Sequence, residues 1–360
     1  MIISLFKLCI IFLIAAVLFG CSSSEPAPVS VPSTTSQTQT TDREPGSAAS
    51  GPVQFDPSID GLSFANFSGG TGPSRIQIDD LTDMFGVEGM CVSVTADGCT
   101  PYPGVQMFLD RLNEVLDNGV CYGISSTTSN YFAGRIQIEG VGKETKDLIE
   151  MARSAEVERT IARLHVMQYS EEYRRVLDRY LDMNPWQVAQ QLQTDLSRSS
   201  NGTGSRFAIA LYSKHGGHAV TPLQIEETDT GLRVSVYDSN WPLQTRWVNF
   251  NESAKTWSYQ AVQEDSRSVE GVWKGQGKGS IALIPHGLPS DKFDCFFCES
   301  TSGSISRGSG SILLVDTDDL QNTGVIITSE SQVIARWSAL EQSLASEGVR
   351  IYPLPSAPPS

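Results

Sequence analysis

Three polar residues in two separate stretches of the chain have the side chains that thiol chemistry requires. Cys121 stands between Gly119 and Gly123, and His218 and Asp238 follow about a hundred residues later. A thiol is a strong nucleophile only as its thiolate, and a nearby imidazole oriented by a third polar group can keep it in that form near neutral pH. The order cysteine, histidine, carboxylate therefore predicts a nucleophilic cysteine site.

Cys121 is predicted to lie in the first turn of a helix. Apolar residues at helical spacing run from Pro103 to Leu116, and Asn118-Gly119 ends that pattern, so a second helix is predicted over residues 122 to 132. A helix N-terminus lowers the pKa of a thiol and donates backbone N–H groups to an oxyanion. The alternative is that Cys121 is a small buried core residue.

His218 and Asp238 are predicted to touch each other. His218 begins one strand-like run, Asp238 follows a second run that starts at Leu232, and Thr228-Asp229-Thr230-Gly231 joins the two as a hairpin. In an antiparallel pair the start of one strand lies beside the end of its partner, and a carboxylate there fixes the imidazole tautomer. His215 is the alternative base, but it precedes the Gly-Gly break and so comes too early for this pairing.

Together these motifs resemble a papain-like cysteine peptidase. The greatest similarity is to bacterial peptidases of the bacteriocin-processing type, which pair Gly-His-Ala-Val with Val-Tyr-Asp-x-Asn, and it covers roughly residues 81 to 241. The resemblance implies a papain-like fold with Cys121 as nucleophile, His218 as general base and acid, and Asp238 as the orienting residue. Papain has an amide at the third position and a glutamine several residues before the nucleophile. In this chain the third residue is an acid, Asp238, and no glutamine occupies the upstream place. Asn118 is the nearest amide that could complete an oxyanion hole there.

The expected reaction is acyl transfer through a thioester, which would make the protein a cysteine peptidase that hydrolyses peptide or amide bonds. If an amine accepts the acyl group instead of water, the protein would be a transglutaminase-like acyltransferase. A third possibility, from another class, is a non-catalytic surface-binding lipoprotein on the same fold. We expect a peptide or protein substrate, no cofactor, no metal and a monomeric chain.

The N-terminal residues are typical of an export signal. After Lys7 comes a twelve-residue apolar run over residues 8 to 19, too short to span a bilayer and typical of a secretory signal. The run ends in Leu18-Phe19-Gly20-Cys21, which resembles a bacterial lipobox and implies cleavage before Cys21 and lipid attachment to its thiol. An ordinary signal peptide or an uncleaved anchor is the alternative. We therefore predict an exported, lipid-anchored protein at the cell surface or the periplasmic face of a bacterial membrane.

Five of the seven cysteines remain once Cys9 is assigned to the signal and Cys21 to the lipid site, and four of the five form candidate pairs. Cys91 and Cys99 flank a predicted turn, and Cys295 and Cys298 are close enough for a tight disulfide. This leaves Cys121 as the predicted unpaired thiol of an exported chain. A zinc site built from the four paired cysteines is the alternative, although the two pairs lie far apart in sequence.

The order of the predicted elements, helices and then antiparallel strands, indicates an α+β fold with a helical N-terminal half packed on the sheet. We predict a lipoprotein signal over residues 1–20, a disordered Ser/Thr/Pro-rich tether over 21–53, the peptidase domain over 54–260 and a β-rich C-terminal extension over 261–360. Within the extension, residues 332 to 345 are predicted to form a late helix.

The net charge of −15 and the lack of any long Lys/Arg run argue against nucleic-acid binding. His165 and His286 are predicted to be structural.

Overall fold

The computed structural model describes residues 54–96, 98–138, 147–150, 153–198, 204–213, 216–261, 271–295 and 298, together with the backbone of five further short strands. The helices are α1 Pro57–Asp60, α2 Ile78–Phe85, α3 Pro103–Leu116, α4 Cys121–Phe132, α5 Asp147–Glu150, α6 Ala155–Val166, α7 Glu171–Leu181 and α8 Pro185–Arg198. Single 3-10 turns occur at Gly72–Ser74 and Met167–Tyr169.

The strands are β1 Cys9–Leu13, β2 Cys91–Thr95, β3 Gly98–Pro101, β4 Phe207–Ser213, β5 Gly216–Thr228, β6 Gly231–Tyr237, β7 Thr245–Asn251, β8 Thr256–Gln260, β9 Val272–Gln276, β10 Ile281–Pro285, β11 Ser311–Val315, β12 Gly324–Ser329, β13 Gln332–Ser338 and β14 Glu341–Ala345. Seven of them form one antiparallel sheet in the order β10-β4-β5-β6-β7-β8-β9. Helices that precede this sheet in the chain pack against it, which confirms the predicted α+β class.

Local side chains explain where the helices begin. The hydroxyl of Ser154 accepts a hydrogen bond from Val157 N at the start of α6, and the hydroxyl of Ser170 accepts one from Tyr173 N at the start of α7. Such caps satisfy backbone N–H groups that have no partner within the helix. Helix α8 begins at Pro185, a residue whose fixed φ and missing N–H suit the first position of a helix.

The β5–β6 hairpin forms as predicted, with Thr228 opposite Gly231 and Thr221 opposite Tyr237. Gly231 has a φ of +153°, and a Cβ at this position would lie 2.3 Å from the carbonyl oxygen of Phe250. Glycine is therefore required where β6 leaves the turn and passes close to β7.

Helix α4 is held between α6 and β5. A Cβ on Gly123 would lie 2.2 Å from the carbonyl oxygen of Ile161, so the absence of a side chain lets α4 approach α6 closely. On the sheet side, the hydroxyls of Ser125 and Thr221 are hydrogen-bonded at 2.7 Å. These contacts fix the position of the helix that begins at Cys121.

Two predictions for the C-terminal part differ from the structure. The central sheet continues past residue 260, because β9 and β10 belong to it, so the predicted boundary cuts through the sheet. The late helix over residues 332 to 345 is wrong: this segment forms β13 and β14, and β13 pairs with β12. The β-branched residues of β12 and β13 suit a pleated pair, and that partner outweighs the helical spacing of the apolar residues.

Most of the predicted export segment lies outside the described residues, including Cys21 and residues 14–53. Within the apolar run, the backbone of β1 pairs in parallel with β11. Across the part of the chain that the structure describes, none of the helices is both long enough and apolar enough to cross a membrane.

Candidate active site

Cys121 is the first residue of α4, as predicted, and it is 3 % exposed. Gly119, with a φ of +115°, turns the chain between α3 and α4, and its N–H donates to the carbonyl of Leu116 at 3.0 Å. The first complete turn of α4 is closed by Ile124 N, which donates to Val120 O at 2.9 Å. The nucleophile candidate therefore lies in the first turn of a helix, where the helix dipole favours a negative charge.

The sulfur of Cys121 contacts the strand that carries His218. Ala219 N donates a hydrogen bond to Cys121 Sγ at 3.3 Å, and both residues are buried. A backbone N–H directed at sulfur stabilises a thiolate more than a thiol, because a charged acceptor makes the stronger hydrogen bond. Two segments 98 residues apart in sequence thus meet at this sulfur.

His218 and Asp238 are in direct contact, which confirms the prediction from the hairpin. Nε2 of His218 lies 2.7 Å from Oδ1 of Asp238, and the histidine is 5 % exposed. Nδ1 of His218 is buried and makes no hydrogen bond with the described part of the chain. The ring of Trp273 meets the imidazole edge to face, with the two ring centres 6.2 Å apart. The imidazole is therefore oriented through one nitrogen, which leaves the other available for proton transfer.

The carboxylate of Asp238 accepts three hydrogen bonds. Its donors are His218 Nε2, the backbone N–H of Asn240 at 2.7 Å and the hydroxyl of Tyr259. Burial alone raises the pKa of Asp238, but the charge of His218 and the three hydrogen bonds outweigh it and lower the pKa below its usual value. Asp238 is therefore ionised near neutral pH and can stabilise a positive charge on His218.

The cysteine pairing is as predicted for four residues and different for the fifth. Disulfides join Cys91 to Cys99 and Cys295 to Cys298, so these cysteines do not form the alternative zinc site. Cys121 is also disulfide-bonded, which contradicts the prediction that it is the unpaired thiol. A count of cysteines could not show this. A nucleophilic role for Cys121 therefore requires its reduced form.

Asn118, named from the sequence as the nearest amide for an oxyanion hole, makes a hydrogen bond within the end of α3. Its side-chain N–H donates to the carbonyl of Glu114 at 3.4 Å, which directs the amide along the end of α3. In this conformation the side-chain amide of Asn118 satisfies a carbonyl group at the C-terminal end of α3 and is not directed at Cys121.

Asn66 is a polar neighbour of the site that the sequence analysis did not identify. Its Oδ1 accepts from Val120 N at 2.8 Å, and its own backbone N–H donates to Ser239 O at 2.8 Å. Its Nδ2 is buried and has no hydrogen-bond partner among the described residues. Asn66 lies 54 residues before Val120, so no local pattern connects it with Cys121. The glycines at 69 and 70 are the one nearby signal of a close backbone approach.

Two other histidines are buried away from this pair. Burial lowers the pKa of His165 to about 3, and its Nδ1 accepts from Gly123 N at 3.3 Å, beneath the first turn of α4. Burial, followed by the charge of Arg135, lowers the pKa of His286 to about 3 as well. Both are therefore neutral near pH 7, and neither is suited to accept a proton there. His215 lies outside the described residues.

Within the described ranges, no three His, Cys, Asp or Glu side chains are grouped in a way that could hold a metal ion. The arrangement around Cys121 combines a sulfur at a helix start, an oriented imidazole on the strand beside it and an ionised carboxylate behind the imidazole. These groups are suited to nucleophilic thiol chemistry once the sulfur is reduced. The chain matches no protein-family model, no curated protein and no solved structure.

Proposed function

We propose that the protein is an exported cysteine peptidase with a papain-like fold. Reduced Cys121 acts as the nucleophile, His218 as general base and acid, and Asp238 as the residue that orients His218. The observation that carries this proposal is one pair of contacts: Ala219 N to Cys121 Sγ at 3.3 Å and His218 Nε2 to Asp238 Oδ1 at 2.7 Å. The first contact puts the sulfur of Cys121 against the residue next to His218, and the second puts the imidazole of His218 against the carboxylate of Asp238, which supports a site built from these three side chains.

Proton transfer runs through Nδ1 of His218, because Nε2 is engaged by Asp238. Nδ1 takes the proton of the Cys121 thiol, and the resulting imidazolium is stabilised by the carboxylate behind it. An imidazole held in this way increases the thiolate fraction at neutral pH. Asp238 keeps its charge throughout, since its lowered pKa opposes protonation.

The reaction then follows two steps. The thiolate of Cys121 attacks the carbonyl carbon of an amide, the C–N bond breaks, and His218 gives its proton to the leaving amine. The acyl group remains on sulfur as a thioester. Water then attacks the thioester while His218 accepts its proton, the C–S bond breaks, and the protonated Cys121 thiol and a carboxylic acid are released. If an amine replaces water in the second step, the protein is the acyltransferase alternative.

We also propose that Cys21 carries a lipid that anchors the protein to a bacterial membrane. The support is the lipobox-like Leu18-Phe19-Gly20-Cys21 and the polar segment that follows it. Metabolic labelling with a fatty-acid analogue in a bacterial host tests this: the wild-type chain should become labelled and the Cys21→Ser chain should not. Equal labelling of both chains would contradict it.

The rate at which iodoacetamide alkylates Cys121 tests the proposed thiol chemistry. The folded protein is treated with a mild reductant, the reductant is removed, and alkylation is followed by peptide mapping from pH 5 to 9. We expect reduced Cys121 to react at neutral pH faster than an ordinary thiol, whose pKa is about 8.5. His218→Ala should slow the reaction at pH 7 by about tenfold or more, with recovery as the pH approaches 9. His215→Ala, the matched control, should leave the profile unchanged.

A reduced Cys121 that reacts no faster than a free thiol would argue against the peptidase and favour a non-catalytic binding protein. So would an unchanged profile in His218→Ala. The substrate is then sought with a peptide library digested by the reduced protein, in the presence and absence of an added amine. Hydrolysed products support the peptidase, whereas amine-linked products support the acyltransferase.

A further inference from the structure

The side-chain amide of Asn66 is held in one orientation. Val120 N donates at 2.8 Å, so the amide atom facing it must be the oxygen, and the NH₂ group is directed elsewhere. That NH₂ group is buried and has no hydrogen-bond partner among the described residues. An unsatisfied buried donor destabilises the fold, so it calls for an explanation.

The segment that carries Asn66 is fastened to the end of α3. Gly69 N donates to Leu116 O at 2.8 Å, and the hydroxyl of Ser68 donates to Asp117 O at 2.6 Å. Gly70 has a φ of +77°, and a Cβ there would lie 2.1 Å from the carbonyl oxygen of Asn113. The chain can pass this close to α3 because residue 70 is glycine, and the approach fixes Asn66 beside the turn that leads into α4.

Asn66 also connects the two halves of the site. Through its side chain it binds Val120, the residue before Cys121, and through its backbone N–H it binds Ser239, the residue after Asp238. Its position is therefore set by both the nucleophile segment and the carboxylate segment. A donor held in this way needs little reorganisation when charge develops nearby.

The free NH₂ group lies close to the start of α4. Because the oxygen and nitrogen of an amide are about 2.3 Å apart, Nδ2 lies no more than about 5 Å from Val120 N. The backbone N–H of Cys121 is the next one along the chain. An oxyanion formed when Cys121 attacks a carbonyl carbon lies beside this helix start, and the NH₂ group of Asn66 is a nearby side-chain donor without a partner among the described residues.

We propose that Asn66 is a catalytic residue whose side-chain NH₂ group donates to the oxyanion of the tetrahedral intermediate, together with the backbone N–H of Cys121. This role rests on the proposed thiol chemistry of Cys121. It replaces Asn118, whose amide is directed to Glu114 O. Asn66 forms no covalent bond in this step. Its N–H donates to the negative oxygen that appears when the thiolate adds to the carbonyl, and the oxygen loses its negative charge when the C–N bond breaks and the carbonyl forms again.

Two reactions of reduced Cys121 separate this role from a structural one. Alkylation by iodoacetamide displaces iodide at a saturated carbon and forms no oxyanion, whereas acylation by p-nitrophenyl acetate passes through one. Removal of a single oxyanion donor costs about 10²–10³ in rate. We therefore expect Asn66→Ala to acylate about a hundredfold more slowly than the wild type while its alkylation rate stays the same.

A second substitution keeps the test valid if Asn66→Ala fails to fold. Asn66→Asp retains an oxygen that can accept from Val120 N but has no NH₂ group, so it should fold and acylate slowly. Because its charge also lowers the thiolate fraction of Cys121, its acylation rate is divided by its own alkylation rate at the same pH, and this ratio should still fall about a hundredfold. Asn118→Ala tests the alternative assignment of Asn118 as the oxyanion donor, and this variant should acylate at the wild-type rate. Asn249→Ala removes an exposed asparagine on β7 and controls for the substitution itself.

The outcomes distinguish this inference from the proposed function. If wild-type Cys121 alkylates and acylates but the Asn66 variants acylate equally fast, the role of Asn66 is overturned and the thiol chemistry stands. If both reactions slow by the same factor in the Asn66 variants, the residue positions Cys121 and is not an oxyanion donor. If reduced wild-type Cys121 reacts with neither reagent, both proposals fail.

Discussion

At the scale of single residues, the charge of Asp238 is the property of the site that is easiest to remove. Its carboxylate is buried and accepts hydrogen bonds from His218, Asn240 and Tyr259. An asparagine keeps the shape of the side chain but loses the negative charge that stabilises the imidazolium of His218. We expect Asp238→Asn to slow alkylation of reduced Cys121 at pH 7 by about tenfold or more and to shift the pH–rate profile to higher pH.

Stability gives a second measurement on the same variant. The folded-state pKa of Asp238 is lowered, so its ionisation stabilises the fold above the ordinary carboxyl pKa of about 3.9, and this contribution is lost as the pH falls through the lower folded value. Asp238→Asn should therefore unfold at lower urea concentration at pH 6 and lose less stability than the wild type below pH 4. Asp229→Asn, in the exposed hairpin turn, is the control. Equal acid sensitivity of the wild type and Asp238→Asn would contradict the prediction.

The residues of the site differ in how far the sequence predicts them. The contact between His218 and Asp238 follows from a local pattern, because a hairpin of known length fixes which strand ends meet. Asn66 does not follow, because its link to Val120 spans 54 residues and depends on packing against α3. The redox state of Cys121 does not follow either, because pairing depends on which sulfur atoms meet in space.

At the scale of secondary structure, the position of Cys121 depends on how closely α4 approaches α6. A methyl group on Gly123 would lie 2.2 Å from Ile161 O and 2.9 Å from Cβ of His165. Helix propensity favours alanine over glycine by about 1 kcal/mol, but the backbone oxygen cannot move aside as a side chain can. We expect Gly123→Ala to destabilise the protein by about 1–3 kcal/mol, measured by urea unfolding.

Because α4 begins at Cys121, the same substitution should also reduce alkylation of the thiol at pH 7. Gln191→Ala, on the exposed face of α8, should change the free energy of unfolding by less than about 0.5 kcal/mol. If Gly123→Ala were as stable as the wild type, α4 and α6 would have to be further apart than the structure has them.

Secondary structure is predictable here where the local signals agree. Helix α3 has a proline at its first position, apolar residues at helical spacing and Asn118-Gly119 after it, and its predicted bounds match the structure. The segment from 332 to 345 also has helical spacing, but β12 offers it an antiparallel partner, with Val325 opposite Trp337. A pairing with another strand is a tertiary contact, and the spacing within one segment does not contain it.

At the scale of the whole molecule, the sheet joins parts of the chain that the sequence separates. β10 pairs with β4, and β5 lies on the other side of β4. Strand β10, Ile281 to Pro285, thus belongs to the same sheet as the strand of His218, although we predicted from the sequence that it lies in a separate C-terminal extension. The chain up to residue 260 should therefore not fold as a complete unit.

The whole molecule should also lose stability in weak acid, because His165 and His286 are buried in neutral form. Burial lowers the pKa of each to about 3, whereas an unfolded histidine has a pKa of about 6.5. Between these values the unfolded chain binds protons that the folded protein excludes, so the free energy of unfolding falls as the pH falls. Each histidine contributes about 1 kcal/mol per pH unit between about pH 6 and 4.

Substitution of His286 isolates one of these contributions. Both of its ring nitrogens are buried without a hydrogen-bond partner in the described part of the chain, so His286→Leu removes a titrating group and breaks no hydrogen bond of its ring there. The slope of unfolding free energy against pH should decrease by about 1 kcal/mol per pH unit between pH 6 and 4, measured by urea unfolding at constant ionic strength. The Asp238 effect lies below pH 4 and does not overlap with this window. An unchanged slope would mean that His286 takes up a proton in the folded protein, which its buried position beside Arg135 opposes.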